Sequence, residues 1–269
     1  MRVTQVIKNA FADWLSRKNA EFRYHSRRWT VLCLHEVIDP NEFETLLGAL
    51  VDHYKIVSLS DGFRATTSGD IDGPLLTLTF DDGDKTVITN CLSELQKRSI
   101  PACFFVCTGF VDAGFREVST GRYEVATWDE LKKWVDAGLD IGAHTVNHIP
   151  LNQATIERSK WEILESKRVL EQRLGCKVQH FAYPWGYHTD ELDKWLQSDD
   201  AFETICTTIP TDNFPNAIGK HVFRKPAPTK HNMVKALRNP TLYETLRAAH
   251  QRSILNGLAP IVWHMDRQQ

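Results

Sequence analysis

The amino-acid sequence predicts an α/β fold, in which a parallel sheet closes into a barrel surrounded by helices. Strand-like apolar runs alternate with amphipathic, helix-like segments along most of the 269 residues, and this alternation is typical of parallel strands joined by helical crossovers. Polar motifs directly follow four widely separated strands, and a barrel brings the C-terminal ends of its strands together at one mouth. Neither a linker nor an internal repeat interrupts the pattern, so we expect a single barrel domain over residues 29–269.

The predicted strands are short apolar runs, and the predicted helices are longer segments with one apolar face. The strands cover residues 29–35, 55–59, 75–80, 102–107, 139–143, 178–183, 203–207 and 261–263. The helices cover residues 41–53, 87–98, 156–174, 191–196 and 232–250, and another runs between Thr127 and Gly138. We also expect a loop rich in glycine and charge before Thr127 and a long loop at 212–228 over the mouth of the barrel.

Several helix boundaries carry their own signals. Pro40 precedes the helix at 41–53. Thr127 is followed three positions later by Glu130, which is the pattern of a capping box. Gly138 and Gly175 stand where two helices are predicted to end, and glycine favours the left-handed conformation of a helix C-terminus.

Residues 1–28 are predicted to form an amphipathic helix ahead of the barrel. Apolar residues between Val3 and Leu15 fall on one helical face, and basic residues fall elsewhere. This face would either pack on the same domain or a second subunit, or contact a membrane surface. The sequence shows no run of about 18 apolar residues and no signal-peptide pattern. We therefore expect a cytoplasmic protein, with at most peripheral contact at the inner face of the membrane.

Composition limits the kinds of binding partner and indicates the state of the cysteines. The net charge of −2 argues against a nucleic-acid-binding protein. The six cysteines are scattered, and several lie within strand-like apolar runs, which favours reduced, buried thiols over a disulfide framework. The hydrophobic content of 42% provides ample material for a core.

Two motifs carry the side chains of a metal site. Asp81 and Asp82 follow the strand at 75–80, and His144 and His148 follow the strand at 139–143. One carboxylate and two imidazoles suit a divalent metal and leave a position open for water, as in hydrolytic sites, while the second aspartate is free to act as a base. Taken alone, the aspartates could form a solvated turn and the histidines a hydrogen-bonded pair. Both motifs, however, follow apolar strands whose ends a barrel would bring together.

The sequence resembles the polysaccharide deacetylases with the NodB-homology domain, also called carbohydrate esterase family four. Four segments are similar to the motifs of that family in order and spacing: Thr-Phe-Asp-Asp-Gly at 79–83, His-Thr-Val-Asn-His at 144–148, Phe-Ala-Tyr-Pro-Trp-Gly at 181–186 and Ile-Val-Trp-His at 261–264. Leu-His-Glu-Val at 34–37, followed by Phe-Glu at 43–44, is similar to the opening of the poly-N-acetylglucosamine branch. The resemblance implies a distorted (β/α) barrel of about seven units.

The resemblance also implies roles for the main site residues. Asp82, His144 and His148 would bind the metal. Asp81 would be the base that takes a proton from the attacking water. His264 would be the acid that protonates the leaving amine, because an amide nitrogen is a poor leaving group without a proton.

Other residues are candidates for contact with the substrate or the oxyanion. The backbone N–H of Trp185 would face the oxyanion, and Tyr183 belongs to the same motif. Trp185 and Tyr187 could form a platform for a sugar ring, or be ordinary core or rim residues. His35 is a candidate substrate or second-layer residue, with a core histidine at a strand end as the alternative.

The sequence departs from the family pattern at the residues that tune the site. The family often carries an arginine two residues before the proline of its third motif, where this chain has Ala182. Arg224 resembles a family arginine that follows the long loop and faces the site. The aspartate that partners the catalytic histidine in the family has no matching motif here, and Asp212 and Asp266 are the candidates for it.

The expected function is metal-dependent removal of an N-acetyl group from an amino sugar. The cofactor would be zinc, with cobalt or nickel as substitutes. The expected substrate is an intracellular, nucleotide- or lipid-linked precursor of a surface polysaccharide such as O-antigen or capsule. An N-deformylase or an O-acetyl esterase is the alternative with the same chemistry. A non-catalytic carbohydrate-binding homologue is the alternative from another class.

Overall fold

The computed structural model describes residues 27–52, 54–118, 121–217 and 219–227. Four predicted features lie wholly or largely outside the described residues: the N-terminal helix, the helix at 232–250, the strand at 261–263 and His264. Asp266 lies outside them as well.

The described part of the chain contains eleven strands and seven α-helices. The strands are β1 (Arg28–Leu34), β2 (Lys55–Ile56), β3 (Pro74–Phe80), β4 (Ala102–Val106), β5 (Phe115–Val118), β6 (Gly121–Glu124), β7 (Asp140–Ala143), β8 (His180–Ala182), β9 (Thr204–Thr207), β10 (His221–Phe223) and β11 (Lys225–Pro226). The helices are α1 (Pro40–Val51), α2 (Leu59–Ser68), α3 (Lys85–Arg98), α4 (Thr108–Ala113), α5 (Trp128–Asp136), α6 (Ile156–Leu174) and α7 (Asp190–Ser198). A 3₁₀ turn covers Pro184–Gly186.

Nine of these strands form one parallel sheet that curls into a nearly closed barrel. The strand order is β10-β9-β8-β7-β4-β3-β1-β11, and β2 pairs with the first half of β3. β10 and β11 are separated in the chain by Arg224 alone, yet β10 pairs with β9 and β11 pairs with β1, at opposite ends of the order. One continuous segment, 221–226, therefore closes the sheet. This confirms the predicted distorted (β/α) barrel.

Alternation along each strand separates the two faces of the sheet. On β4, Phe105 belongs to a cluster inside the barrel that also contains Trp29 of β1 and Val222 of β10. Its neighbour Phe104 faces the helices and packs on Trp134 of α5, with ring centroids 5.4 Å apart. Gly142 of β7 makes room for the Phe105 ring, because a Cβ there would lie 2.3 Å from it.

The helix boundaries follow the predicted signals. The capping box at the start of α5 is present, with the Thr127 side chain accepting from the Glu130 N–H and the Glu130 carboxylate accepting from the Thr127 N–H. Gly175 ends α6 in the left-handed conformation, with φ +65°. A glycine tolerates this conformation without steric cost.

The helix α2, which follows β2, was not predicted. Two predicted loops also contain regular structure. The segment before Thr127 forms the antiparallel hairpin β5–β6. The prediction of a loop throughout 212–228 was wrong, because 221–226 pairs with strands on both sides. Short strands such as these are hard to predict because their residues are polar and their order comes from long-range pairing.

Among the described residues, no helix is both long enough and apolar enough to cross a bilayer.

Candidate active site

The predicted metal ligands converge at the C-terminal mouth of the barrel. Asp82 follows β3, His144 follows β7, and His148 ends the short loop that leaves β7. The Asp82 Oδ1 atom lies 3.4 Å from His144 Nε2 and 3.1 Å from His148 Nε2. Asp82 and His144 are buried and the side chain of His148 is 12% exposed, so the cluster lies at the base of the mouth with an edge open to solvent.

Backbone strain is concentrated at this cluster. Asp82 (φ +70°), Thr145 (φ +67°), His148 (φ +49°) and Trp185 (φ +53°) all adopt the left-handed conformation although none is a glycine. Such conformations cost about 1–3 kcal/mol each and persist where the surroundings enforce them, which is common at functional sites. Here they turn the side chains of Asp82 and His148 towards a common point.

His144 is held in one tautomer by the backbone of the neighbouring strand. Its Nδ1 lies 2.8 Å from the carbonyl oxygen of Ala182, and a carbonyl can only accept, so Nδ1 carries the proton. In the neutral ring the lone pair is then on Nε2, which faces Asp82. This arrangement, in which one imidazole nitrogen is fixed by a carbonyl and the other is free, is typical of metal-binding histidines.

His148 is kept neutral by its surroundings. Its ring lies between Phe110 and Trp185, with centroids 5.7 Å and 4.2 Å away. Burial is the largest influence and lowers the pKa of His148 below its usual value, outweighing the opposing effect of Asp82. The neutral form is the one that binds a metal.

The charge and contacts of the Asp82 carboxylate show whether a metal would fit between Asp82, His144 and His148. Burial alone would raise the pKa of Asp82, but the facing imidazoles of His144 and His148 hold it well below its usual range, so the carboxylate is charged. Its Oδ1 atom is buried and has no hydrogen-bond partner among the described residues. An ionised, unpartnered oxygen directed at two imidazole nitrogens would be costly unless a cation completed the group. The residues fit a divalent metal.

The other oxygen of Asp82 is held by an arginine that the sequence did not predict. Arg116, on β5, donates to Asp82 Oδ2 and also pairs with Glu36 at 3.3 Å and Asp84 at 3.5 Å. This leaves Oδ1 as the atom that faces the histidines. Arg116 lies on the hairpin that was predicted to be a loop, and the residues Phe-Arg-Glu-Val at 115–118 do not alternate between apolar and polar, so no local signal marked it.

Asp81, the predicted base, is paired with Arg224. Both residues are buried, and the two Nη atoms of Arg224 donate to the two carboxylate oxygens at 2.6 Å and 2.9 Å. Arg224 also donates to the hydroxyl of Thr79 and the carbonyl of Thr207, both at 3.3 Å. Burial alone would raise the pKa of Asp81, but Arg224 and nearby imidazoles lower it overall, which keeps the carboxylate ionised.

His35 and Cys33 lie beside Asp81. The register of β1 and β3 pairs Leu34 with Phe80, so the residues that follow, His35 and Asp81, are neighbours. The Cys33 thiol donates to Asp81 at 3.3 Å, and burial raises the pKa of this thiol. Although the ligand atoms of Cys33, His35 and Asp81 lie within 4.8 Å of one another, Arg224 occupies both oxygens of Asp81, so this group does not favour a second metal.

The aromatic residues in and next to the third motif (residues 181–186) differ in exposure and in their contacts with the site. Trp185 is 41% exposed and its ring packs on His148, and Tyr187 is 39% exposed with its ring 6.2 Å from that of Trp185. Tyr183 is different: its side chain is fully buried, and its hydroxyl donates to Asp193 of α7 at 2.9 Å. This placement corrects the prediction that the Tyr183 side chain contacts the substrate.

Asp212 is paired with residues of the barrel. It is buried, and its carboxylate accepts from Thr30 at 2.7 Å and from Lys225 at 2.6 Å. These contacts tie the loop that precedes the closing segment to the barrel.

The family model for polysaccharide deacetylases matches residues 68–201, which contain Asp81, Asp82, His144, His148 and the third motif. The chain belongs to this family, in the NodB-homology or carbohydrate esterase family four class, as the motifs predicted. The members of this class are generally metal-dependent, in agreement with the Asp82–His144–His148 cluster.

Two curated relatives and two solved structures are similar to this chain. A Bacillus subtilis protein named as a polysaccharide deacetylase, YxkH, is 25% identical over 133 residues, 49% of this chain and 44% of the relative. A peptidoglycan-N-acetylglucosamine deacetylase of Bacillus cereus is 29% identical over 132 residues, 49% of this chain and 55% of the relative. The chain thus spans about half the length of the curated relatives it matches.

The structural matches cover more of the chain. IcaB from Ammonifex degensii is 26% identical, with a TM-score of 0.68 over 79% of this chain and 96% of that one. The deacetylase PplD from Streptococcus pyogenes, solved with acetate, is 21% identical, with a TM-score of 0.63 over 79% of this chain and 99% of that one. The second match bears on the fold alone.

Proposed function

We propose that the protein is a metal-dependent amidohydrolase that removes the acetyl group from an N-acetylated amino sugar. The observation that carries the proposal is the buried, unpartnered Asp82 Oδ1, which faces the Nε2 atoms of two histidines next to an arginine-paired second aspartate. A purely structural carboxylate in this position would need a hydrogen-bond donor. A hydrolytic site needs a cation-binding group and a base side by side.

Asp82, His144 and His148 would hold the metal, and we propose zinc because two imidazoles and a carboxylate suit it. When bound, the metal would act as a Lewis acid that polarises the carbonyl and makes water a better nucleophile at neutral pH. Affinity alone does not exclude cobalt or nickel, which prefer similar ligands.

Asp81 is proposed as the base that accepts a proton from the attacking water. Arg224 keeps its carboxylate ionised and fixes the orientation of both oxygens. A carboxylate held in this way is a weak base, but it does not have to reorganise during the reaction. Positioned proton transfer of this kind contributes about 10²–10⁴-fold to rate.

The remaining charge changes occur on the substrate oxygen and nitrogen. We propose that the Trp185 N–H stabilises the oxyanion, since the left-handed backbone at Trp185 and its contact with His148 place this turn beside the cluster. For the acid that protonates the leaving amine, the proposal remains His264 from the last motif. The exposed rings of Trp185 and Tyr187 offer apolar faces on which a pyranose ring could stack.

Metal analysis and acetate release from a panel of N-acetylated amino sugars test the proposal. One zinc per chain is expected, together with acetate release that His148→Ala abolishes along with metal binding. His221→Ala is the matched control, because it removes an imidazole that pairs with Asp193 outside the cluster. A wild-type protein that binds no divalent metal would overturn the proposal.

Adding N-formylated and O-acetylated amino sugars to the panel decides between the related activities. Release of formate would identify a deformylase, and release of acetate from O-acetylated sugars alone would identify an esterase. Sugar binding with no hydrolysis in the metal-loaded protein would indicate a non-catalytic homologue.

For the substrate itself we propose a short, nucleotide- or lipid-linked saccharide in a reducing compartment, such as a precursor of O-antigen or capsule. The support is the state of the six cysteines, which are all free thiols and four of which are buried. Chain-length preference is the test: deacetylation of such short acceptors at least as fast as long polymers is expected. A clear preference for long poly-N-acetylglucosamine chains would refute this choice of substrate and leave the deacetylase chemistry intact.

A further inference from the structure

The loop that carries the metal-binding histidines is held by a buried carboxylate outside the predicted site. We call residues 144–148 the histidine loop. Glu162, on α6, is completely buried. Its Oε2 accepts from the backbone N–H groups of Val146 at 3.0 Å and Asn147 at 2.8 Å. Its Oε1 accepts from the Asn147 side chain at 2.8 Å and from Arg158 at 2.6 Å.

The histidine loop is fixed from the opposite side by the start of α4. The N–H of Thr108 donates to the Thr145 carbonyl at 3.3 Å, and the N–H of Gly109 donates to the Val146 carbonyl at 2.8 Å. The Cys107 thiol donates to the same Val146 carbonyl at 2.9 Å. The loop therefore gives its N–H groups to Glu162 and its carbonyls to α4, and it is clamped between the two.

This clamp has a reason in the geometry of the loop. Thr145 and His148 adopt the left-handed conformation, which a non-glycine residue keeps only where other contacts enforce it. Glu162 satisfies the two successive N–H groups that this turn directs inwards. A buried carboxylate without such partners would be strongly unfavourable, so loop and carboxylate stabilise each other.

We infer that Glu162 is a positioning residue that presets the histidine loop so that His144 and His148 can bind a metal together. The inference deepens the proposed function and rests on it, because it assigns the contact that holds the ligands in place. Residues that orient metal ligands typically contribute about 10–100-fold to metal affinity. Glu162 acts through the loop between the two histidines, because it hydrogen-bonds to Val146, Asn147 and Arg158 and to neither imidazole.

Zinc affinity of the full-length protein, measured by chelator competition, tests the inference. Glu162→Gln keeps the size of the side chain but replaces one acceptor oxygen by an NH₂ group that faces the donors of the loop. We expect zinc affinity to fall by about 10–100-fold, with activity returning towards the wild-type kcat at saturating zinc. The absorption spectrum of the cobalt-loaded variant should also change, which a loss of global stability alone would not cause.

Glu165→Gln is the matched control. It makes the same substitution one turn further along α6, where Glu165 pairs with Arg168 and contacts no residue of the histidine loop. Its zinc affinity should equal that of the wild type. Equal zinc affinities for folded Glu162→Gln and Glu165→Gln would overturn the inference.

Two further variants keep the inference testable if Glu162→Gln does not fold. Asn147→Ala deletes one of the four hydrogen bonds to Glu162 and should weaken zinc binding by less. Gly109→Ala should displace the histidine loop from the side of α4, because the new Cβ would lie 2.6 Å from the Val146 carbonyl oxygen. This variant should therefore also weaken zinc binding. Unchanged zinc affinity in both variants would likewise overturn the inference. A wild-type protein without zinc would instead contradict the proposed function itself.

Discussion

Arg224 donates to both carboxylate oxygens of Asp81, at 2.6 Å and 2.9 Å, from the segment that closes the barrel. The position from which the family often supplies an arginine is occupied here by Ala182, whose carbonyl instead fixes His144. The guanidinium that holds the proposed base therefore comes from the junction of β10 and β11. Barrel closure and the ionisation of the base depend on the same short segment.

Arg224→Met should move the acidic limb of the pH–rate profile to higher pH. Burial is the largest influence on Asp81 and raises its pKa, and Arg224 is the first of the opposing influences. Without the guanidinium the carboxylate would bind a proton at higher pH, so the base would be lost over a range in which the wild type is active. Profiles of kcat/KM between pH 4 and 9 measure the shift.

Arg168→Met, an exposed arginine on α6, is the control for charge and should leave the profile unchanged. An acidic limb at the same pH in Arg224→Met and the wild type would show that Arg224 does not tune the base.

The same substitution at the two adjacent aspartates should lower activity in both cases but remove zinc in only one. Asp81→Asn should retain zinc and lose about 10²–10⁴-fold in kcat, which is the usual contribution of a positioned proton-transfer group. Asp82→Asn should lose zinc and activity together, because it removes the charged ligand between the imidazoles. Elemental analysis beside steady-state kinetics separates the two outcomes, and loss of zinc in Asp81→Asn would reassign Asp81 as a ligand.

The site residues that the sequence predicted are those placed by strand ends. Asp81, Asp82 and His144 each follow an apolar strand, and parallel strands in a barrel bring such residues to one mouth. The alternation of β8 also explains the error at Tyr183. Tyr183 shares the side of Phe181, with ring centroids 5.1 Å apart, and that side faces the helices rather than the barrel interior.

The unpredicted contacts depend on side chains that come from distant segments. Arg116 lies on a hairpin with polar strands, and Glu162 lies on a helix whose pattern marks it only as one residue in an amphipathic surface. The sequence around Arg116 does not indicate that it pairs with Asp82, and the sequence around Glu162 does not indicate that it binds the histidine loop. Pairing of this kind is set by the packing of whole elements, so it appears only once the elements are assembled.

Arg116→Gln should destabilise the metal-free protein more than the metal-bound one. Arg116 pairs with Asp82, Asp84 and the exposed Glu36, and its loss leaves the buried Asp82 carboxylate without a cation, typically at a cost of about 3–5 kcal/mol. A bound zinc ion restores positive charge at Asp82. Thermal unfolding with and without zinc should therefore show a lower Tm for the metal-free variant and a larger rise on adding zinc than in the wild type. An equal rise in both proteins would contradict this account.

Alanine substitution of the two exposed aromatic residues, Trp185 and Tyr187, should have different effects on zinc binding. Tyr187→Ala removes only a surface ring and should raise KM for amino-sugar substrates by about 10-fold, equivalent to about 1.4 kcal/mol, with zinc affinity unchanged. Trp185→Ala also removes the ring that packs on His148, so it should raise KM and weaken zinc binding as well. If neither substitution changes KM, these rings are not the sugar platform.

His180 should make the folded protein less stable in mild acid. This residue is buried on β8 with Nδ1 2.9 Å from the Thr204 hydroxyl, and burial, with a smaller effect from Lys167, lowers the pKa of His180 to about 4. The unfolded chain binds a proton at His180 below its usual pKa of about 6.5, whereas the folded chain does not until about pH 4. Stability is therefore retained above pH 6.5 and lost as the pH falls towards 4, by at most roughly 3 kcal/mol from this residue.

His180→Gln tests this account, because glutamine can keep a hydrogen bond to Thr204 without titrating. The free energy of unfolding, measured in urea between pH 4.5 and 7.5, should fall less steeply with pH in this variant than in the wild type. Parallel pH dependences in the two proteins would show that His180 does not cause the acid sensitivity.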